Sequence, residues 1–121
     1  MDRTFGVITV ADSELANNLA EYMFTNKFTQ KERIKKYIRG VEFRFITNKF
    51  QPKRFYKFCV GLVRPQRKWY IQQHPEVTME SFTQEVIEEA ARIVYNRMVS
   101  VSIANIEIVA LNLREDKEEE K

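Results

Sequence analysis

The sequence predicts a single α+β domain over residues 1–114, in which three helices pack against a mixed sheet in the order β-α-α-β-β-β-α-β. Three observations support this class. The chain has 121 residues, a length that suits one domain. Hydrophobic residues make up 44% of it and charged residues 31%, so it can form an apolar core. Segments with strand-like alternation lie between segments with helical periodicity.

Helical periodicity predicts the three helices. The first is capped by Asp12 or Ser13 and extends to about residue 26, with an apolar stripe on one side. The second follows a capping-box sequence at residues 29–32 and ends at Gly40, a residue that commonly terminates helices. The third and longest begins at a second capping-box sequence, residues 81–84.

Strand-like composition predicts a sheet. Residues 5–10 are apolar and β-branched, and residues 101–113 are rich in Ile and Val, so both are expected to be strands. Between them, residues 41–73 are expected to form an antiparallel meander of three strands with turns at residues 48–53 and 64–67. One pairing register places the apolar side chains of all three strands on one face.

The charge of the chain is unevenly distributed. The net charge is +3, but residues 27–68 contain fourteen Lys or Arg and two Glu, which gives this segment a net charge of +12. The same segment is rich in aromatic residues. A strongly basic segment attracts polyanions, and rings between cations suit single-stranded nucleic acid because they stack on unpaired bases.

The sequence therefore predicts a small non-enzymatic nucleic-acid-binding protein that prefers single-stranded RNA or DNA. Phe55 and Tyr70, on the open face of the sheet, are expected to stack on bases. Basic residues of the second helix, the strands and the turns are expected to contact phosphates: Lys31, Lys35, Lys36, Arg39, Arg44, Lys53, Arg54, Lys57, Arg64, Arg67 and Lys68.

An alternative from another class is a structural or adaptor protein, of the kind found in phages and mobile elements. Its basic segment would bind an acidic protein partner or another copy of the chain, and a homodimer is one such form. The acidic residues that follow residue 68 could supply the complementary charge within such an assembly.

Catalytic and metal sites are not expected. A single cysteine, Cys59, and a single histidine, His74, cannot form a conventional zinc site, and the three glycines stand apart rather than in a phosphate-binding loop. No cofactor or catalytic residue is predicted. The weaker enzymatic alternative is a metal-free ribonuclease using His74, because the spacing from Arg67 to His74 is similar to one found in helical ribonuclease toxins.

The remaining expectations concern location and the chain end. The first residues lack the order of a secretion signal, which predicts an intracellular and most simply a cytoplasmic protein. No uninterrupted apolar run of 18 residues occurs, so no membrane span is expected. Residues 115–121 are highly charged and are expected to form a disordered acidic tail.

Overall fold

The computed structural model describes residues 8–25 and 31–119, and every regular element within these ranges is helical. Five α-helices follow one another, and a short 3-10 turn at Met79–Ser81 precedes the last. Their bounds are Val10–Thr25 (α1), Lys31–Ile46 (α2), Pro52–Val63 (α3), Gln66–Gln73 (α4) and Gln84–Glu119 (α5). The predicted α+β class is therefore wrong, since the described ranges contain no strand.

The predicted meander at residues 41–73 is instead formed by the end of α2 and by α3 and α4. Its apolar residues also recur every three or four positions, as in Phe55, Cys59 and Val63 of α3, which all contact the core. That spacing places them on one side of a helix. Gly40 does not end α2: an interior glycine costs a helix about 1 kcal/mol relative to alanine, which packing against α5 offsets.

The two outer strands are also not observed. Half of the predicted first strand (residues 5–10), residues 5–7, lies outside the described residues. Residues 8–9 have no regular structure, and Val10 already belongs to α1. The predicted last strand, residues 101–113, is a continuation of α5. This helix also includes residues 115–119, which the sequence places in a disordered tail.

All three predicted helices are observed. The second is α2, which extends beyond its predicted end, and residues 29–30 of its predicted capping box lie outside the described residues. The other two have caps that differ from the predicted ones. The helix expected from Asp12 or Ser13 is α1, and the side chain that caps it is Thr9, whose Oγ1 accepts a hydrogen bond from the Asp12 amide at 3.1 Å. The long third helix is α5, and Thr83 Oγ1 accepts from the Val86 amide at 3.3 Å. Both threonines satisfy amides that the first turn of a helix leaves unpaired.

Helix α5 is the centre of the fold, because α1, α2 and α3 all pack against it. Val86, Ala90, Val94 and Met98 recur every four residues on α5, and all four are fully buried. Burying a valine or methionine side chain contributes about 1.5–3 kcal/mol, so Val86, Val94 and Met98 supply a large part of the hydrophobic stabilisation.

Polar contacts fix α1 against α5. The Arg97 guanidinium forms an ion pair with Glu21 and lies 4.5 Å from the centroid of the Phe24 ring. Both partners belong to the last turns of α1. The end of α1 is therefore held beside Arg97, near the middle of α5.

Another pair of contacts fixes α2 against α5. Ser102 is fully buried, and its hydroxyl lies 3.3 Å from the Ile38 carbonyl oxygen and 2.8 Å from that of Met98. One turn further along both helices, Asn105 Nδ2 donates to Glu42 Oε2 at 2.7 Å. These contacts advance together along the two helices, so α2 and α5 run in the same direction there.

Beyond Ser102, α5 exposes most of its apolar side chains. Judged by length and apolar composition alone, the segment Gln84–Asn112 of this helix would suffice to cross a membrane. The first part of the segment is the core stripe described above, and the absence of a membrane span remains a prediction.

Candidate functional site

Helices α2 and α3 form a hairpin whose turn is specified by local sequence. Asn48 adopts a left-handed conformation (φ 59°), its amide donates to the Phe45 carbonyl at 3.1 Å, and the Lys49 amide donates to the Arg44 carbonyl at 2.7 Å. These two bonds are those of a Schellman C-cap, in which asparagine tolerates positive φ. Pro52 then begins α3, where its fixed φ favours a helix start. The chain does reverse near the predicted turn at residues 48–53, but the reversal joins two helices and not two strands, and residues 52–53 already belong to α3.

Two pairs of aromatic rings connect α2 to the rest of the hairpin. Tyr37 of α2 meets Phe58 of α3 edge to face, with 4.9 Å between ring centroids. Near the turn, Phe45 stacks on Phe50 at 4.3 Å. Between these two ring pairs lies an open groove of about 450 Å³.

The groove combines aromatic rings and cations. Gly40, Val41 and Gln51 complete the lining. The rings are those of Tyr37, Phe50, Phe55 and Phe58, and the cations are those of Lys36, Arg44, Lys49 and Arg54. All four cationic residues are exposed, whereas three of the four aromatic residues are half-buried.

The rings are anchored to the core of the fold. The Phe55 ring lies 5.6 Å from that of Tyr95 on α5, and the Phe50 ring lies 6.4 Å from it. Phe58 stacks on Phe55 at 5.9 Å and is itself 41% exposed. The groove therefore presents the accessible ring of Phe58, which packs on Phe55, and contacts with Tyr95 of α5 fix the position of Phe55.

The cations of the groove are not neutralised by carboxylates in the described part of the chain. The only ion pair found there within α2 and α3 is Lys35–Glu32, at 3.8 Å, and both of its side chains are exposed. Glu42, the second carboxylate of α2, accepts a hydrogen bond from Asn105. Arg44 Nη1 donates to the Gly40 carbonyl at 3.1 Å, which uses one of the five N–H donors of the guanidinium.

The predicted phosphate contacts fall into three places. Lys36, Arg44 and Arg54 line the groove, as does Phe55, which was predicted to stack on bases. A second set is exposed on α2 and α3 outside the groove, and a third lies at the junction of α3 and α4. The second set is Lys31, Lys35, Arg39, Lys53 and Lys57, and the third is Arg64, Arg67 and Lys68.

The third set is partly engaged within the protein. Arg64 donates to Gln84 at 3.4 Å, and Arg67 Nε donates to the Arg64 carbonyl at 2.8 Å. These contacts tie the start of α4 to the start of α5. Arg64 and Arg67 thus have a structural role at this junction.

Tyr70 lies in the core and not on an open sheet face. It is 5% exposed, its ring meets Tyr22 edge to face at 5.4 Å, and Phe82 packs on it at 5.9 Å. The sequence placed it on a surface because a strand alternates its side chains between two faces. On α4 the same residue belongs to the buried side of a helix.

Among the cations and rings of the groove, four were not predicted contacts: Tyr37, Lys49, Phe50 and Phe58. The sequence placed Tyr37 on the apolar side of the second predicted helix, Phe58 on the buried face of the meander and Phe50 in its turn. A helical interpretation of residues 31–63 would have placed Tyr37 and Val41 on one side of α2 and Phe55 and Phe58 on one side of α3.

The residues considered for catalysis are not arranged as a nucleophilic pair. Cys59 is fully buried, and burial raises the pKa of its thiol to about 12, whereas a reactive cysteine requires a lowered pKa. His74 follows α4, stacks on Tyr70 at 4.3 Å and lies 3.5 Å from Glu76. In the described ranges, no three His, Cys, Asp or Glu side chains are close enough together to hold a metal ion.

No protein-family model, curated protein or solved structure matches the chain. The groove between α2 and α3 is accordingly the feature from which a function can be inferred.

Proposed function

We propose that the protein binds single-stranded nucleic acid in the groove between α2 and α3. The observation that supports this is the groove itself, where four exposed cations surround aromatic rings without a carboxylate partner in the described residues. The function is the one expected from the sequence, but its site is a helical hairpin and not a sheet face.

The cations suit the nucleic-acid backbone. Lys36 and Arg44 approach the groove from α2, Lys49 from the turn and Arg54 from α3, so they border it on both sides. A strand lying along the groove would meet a positive charge on either side of its path, and neutralising phosphates releases condensed counterions. Arginine can in addition bind two phosphate oxygens at once.

The rings suit an unpaired base. Phe58 presents an accessible ring, and every base has a face that can stack on it. A volume of about 450 Å³ lies within the usual range of small-ligand sites, so a splayed base fits inside the groove. Bases can be splayed in this way in a single strand, whereas in a duplex they are stacked and paired, which favours single-stranded RNA or DNA.

The test is fluorescence anisotropy with labelled oligonucleotides of about 20 nucleotides, longer than one typical site. Single-stranded RNA, single-stranded DNA and a duplex are compared from low to moderate salt. Phe58→Ala removes the accessible ring and should weaken single-strand binding about 5- to 150-fold, the range measured for loss of one base–aromatic stack.

Phe43→Ala is the matched control, because Phe43 is also an exposed phenylalanine of the hairpin but does not line the groove. It should leave binding unchanged, and circular dichroism should show that both variants keep their helices. Equal losses in the two variants, or no binding at low salt, would contradict the proposal. In the latter case an acidic protein partner becomes the better explanation of the basic segment.

A further inference from the structure

The Arg44 guanidinium is held against the backbone of α2. Side chains of a helix point towards its N-terminus, so Arg44 reaches back one turn along α2 and lies over Gly40. Its Nη1 donates a hydrogen bond to the Gly40 carbonyl at 3.1 Å. This bond uses Nη1, so the edge formed by Nε and Nη2 stays free in the described part of the chain. Such an edge can bind two phosphate oxygens at once.

The guanidinium has this place because residue 40 has no side chain. A Cβ at Gly40 would lie 3.1 Å from Arg44 Nη1, a distance that Cβ atoms seldom reach, so the guanidinium would have to move. Gly40 itself lines the groove, as do Tyr37 and Arg44 on the same side of α2. Alanine is the better helix former at an interior position, so helix formation alone does not explain a glycine there.

The glycine of α3, Gly61, has no such contact. A Cβ at Gly61 would meet no atom within 4 Å, and Gly61 does not line the groove. Both glycines lie within helices, so alanine at either position favours the helix in the same way. Substitution of Gly40 differs in one respect, since it also displaces a cation of the groove.

We infer that Gly40 is a positioning residue for phosphate binding, because its bare backbone orders the Arg44 guanidinium in the groove. The inference rests on the proposed function, in which Arg44 contacts the nucleic-acid backbone. Binding orders flexible side chains at a cost in conformational entropy, and a guanidinium that is already ordered loses less freedom when it binds a phosphate. The specific ligand group is therefore a phosphate of the single strand.

The first test measures the affinity of Gly40→Ala for labelled single-stranded oligonucleotides by fluorescence anisotropy. Binding should weaken about 2- to 13-fold, which corresponds to the cost of ordering one free side chain. The melting temperature should not fall, because the exposed guanidinium can move aside and alanine favours the helix. Gly61→Ala is the matched control, and it should bind as tightly as the wild-type protein.

A double-mutant cycle distinguishes positioning from a narrower groove. If Gly40→Ala acts through the guanidinium, it should not change the affinity of a protein that already carries Arg44→Gln. A methyl group that merely narrows the groove would weaken binding in both backgrounds.

Salt dependence distinguishes a displaced cation from a lost one. Each phosphate neutralised on a single strand contributes about −0.7 to the slope of the logarithm of the binding constant against the logarithm of the salt concentration. Four groove cations give a slope of about −2.8, and Arg44→Gln should reduce it to about −2.1. Gly40→Ala keeps the charge, so it should keep the wild-type slope while its affinity is lower.

Unchanged affinity in Gly40→Ala would overturn the positioning role, as would the same loss of affinity in the presence and absence of Arg44. An equal loss in Gly61→Ala would also overturn it, because that variant leaves the guanidinium in place. In each of these cases the wild-type protein still binds, so the proposed function survives. Absence of binding by the wild-type protein at low salt would overturn both.

Discussion

The groove makes a quantitative prediction about salt dependence. Arg44→Gln combined with Arg54→Gln removes one cation from each helix and keeps side chains of similar polarity. Each phosphate neutralised on a single strand lowers the logarithm of the binding constant by about 0.7 for each tenfold rise in salt. Four groove cations therefore give the wild-type protein a slope of about −2.8, and the double variant should have a slope of about −1.4.

These slopes translate into affinities that anisotropy can measure. Between about 50 and 200 mM salt, wild-type binding should weaken about 50-fold, and binding by the double variant about 7-fold. The control is Arg39→Gln combined with Lys57→Gln, which removes the same charge from exposed positions of α2 and α3 outside the groove. It should keep the wild-type slope.

The opposite pattern would refute the groove as the site. If the control variant flattens the slope while Arg44→Gln with Arg54→Gln does not, phosphates bind the outer sides of the two helices. Arg44 also donates to the Gly40 carbonyl, so helix content must be compared before the slopes are interpreted.

Three further predictions concern stability and reactivity. The buried Tyr22 hydroxyl has no hydrogen-bond partner among the described residues, so Tyr22→Phe should raise the free energy of unfolding by about 1 kcal/mol in urea titrations. Tyr56→Phe, which removes a 3.2 Å hydrogen bond to the Glu88 carbonyl, should lower the free energy of unfolding by a similar amount. If both variants are less stable than the wild-type protein, the Tyr22 hydroxyl has a hydrogen-bond partner. Gly61→Ala should stabilise α3 by about 0.5–1 kcal/mol, because the added Cβ meets no atom within 4 Å, and a lowered melting temperature would contradict this. Burial raises the pKa of the Cys59 thiol from 9.0 to about 12, so folded protein should resist iodoacetamide near pH 8. The free energy of unfolding of the protein should fall as the pH rises above about 9, because the unfolded chain loses the thiol proton at a lower pH than the folded chain. Rapid labelling of Cys59 in the folded protein would argue against this burial.

The sequence predicted the helices with strong periodicity and missed those rich in aromatic and β-branched residues. Helix α1 and the start of α5 each carry an apolar stripe over several turns, and over that length a repeat of three or four residues differs clearly from the two-residue repeat of a strand. Residues 41–45 alternate for only five positions, and over so short a run the helical and the extended interpretations fit equally well. Intrinsic preferences for helix or strand amount to less than about 1 kcal/mol per residue, so tertiary packing decides the outcome.

The candidate site was predicted in its chemistry and not in its geometry. Lys36, Arg44, Arg54 and Phe55 were expected to act together and do line one groove. Tyr70 was expected beside Phe55 but lies in the core. The open sheet face on which it was placed does not form, and Tyr70 lies on the buried side of helix α4. Which rings share a surface depends on the type of element that carries them.

The sequence by itself determined the basic and aromatic character of residues 27–68 and the reversal of the chain after α2. Residue identity and local backbone preference suffice for each of these. Only the tertiary structure decided that the reversal joins two helices, that the rings between them leave a groove, and that α5 extends past the last helix packed on it. These features depend on side chains that are distant in the sequence, whose contacts no local pattern specifies.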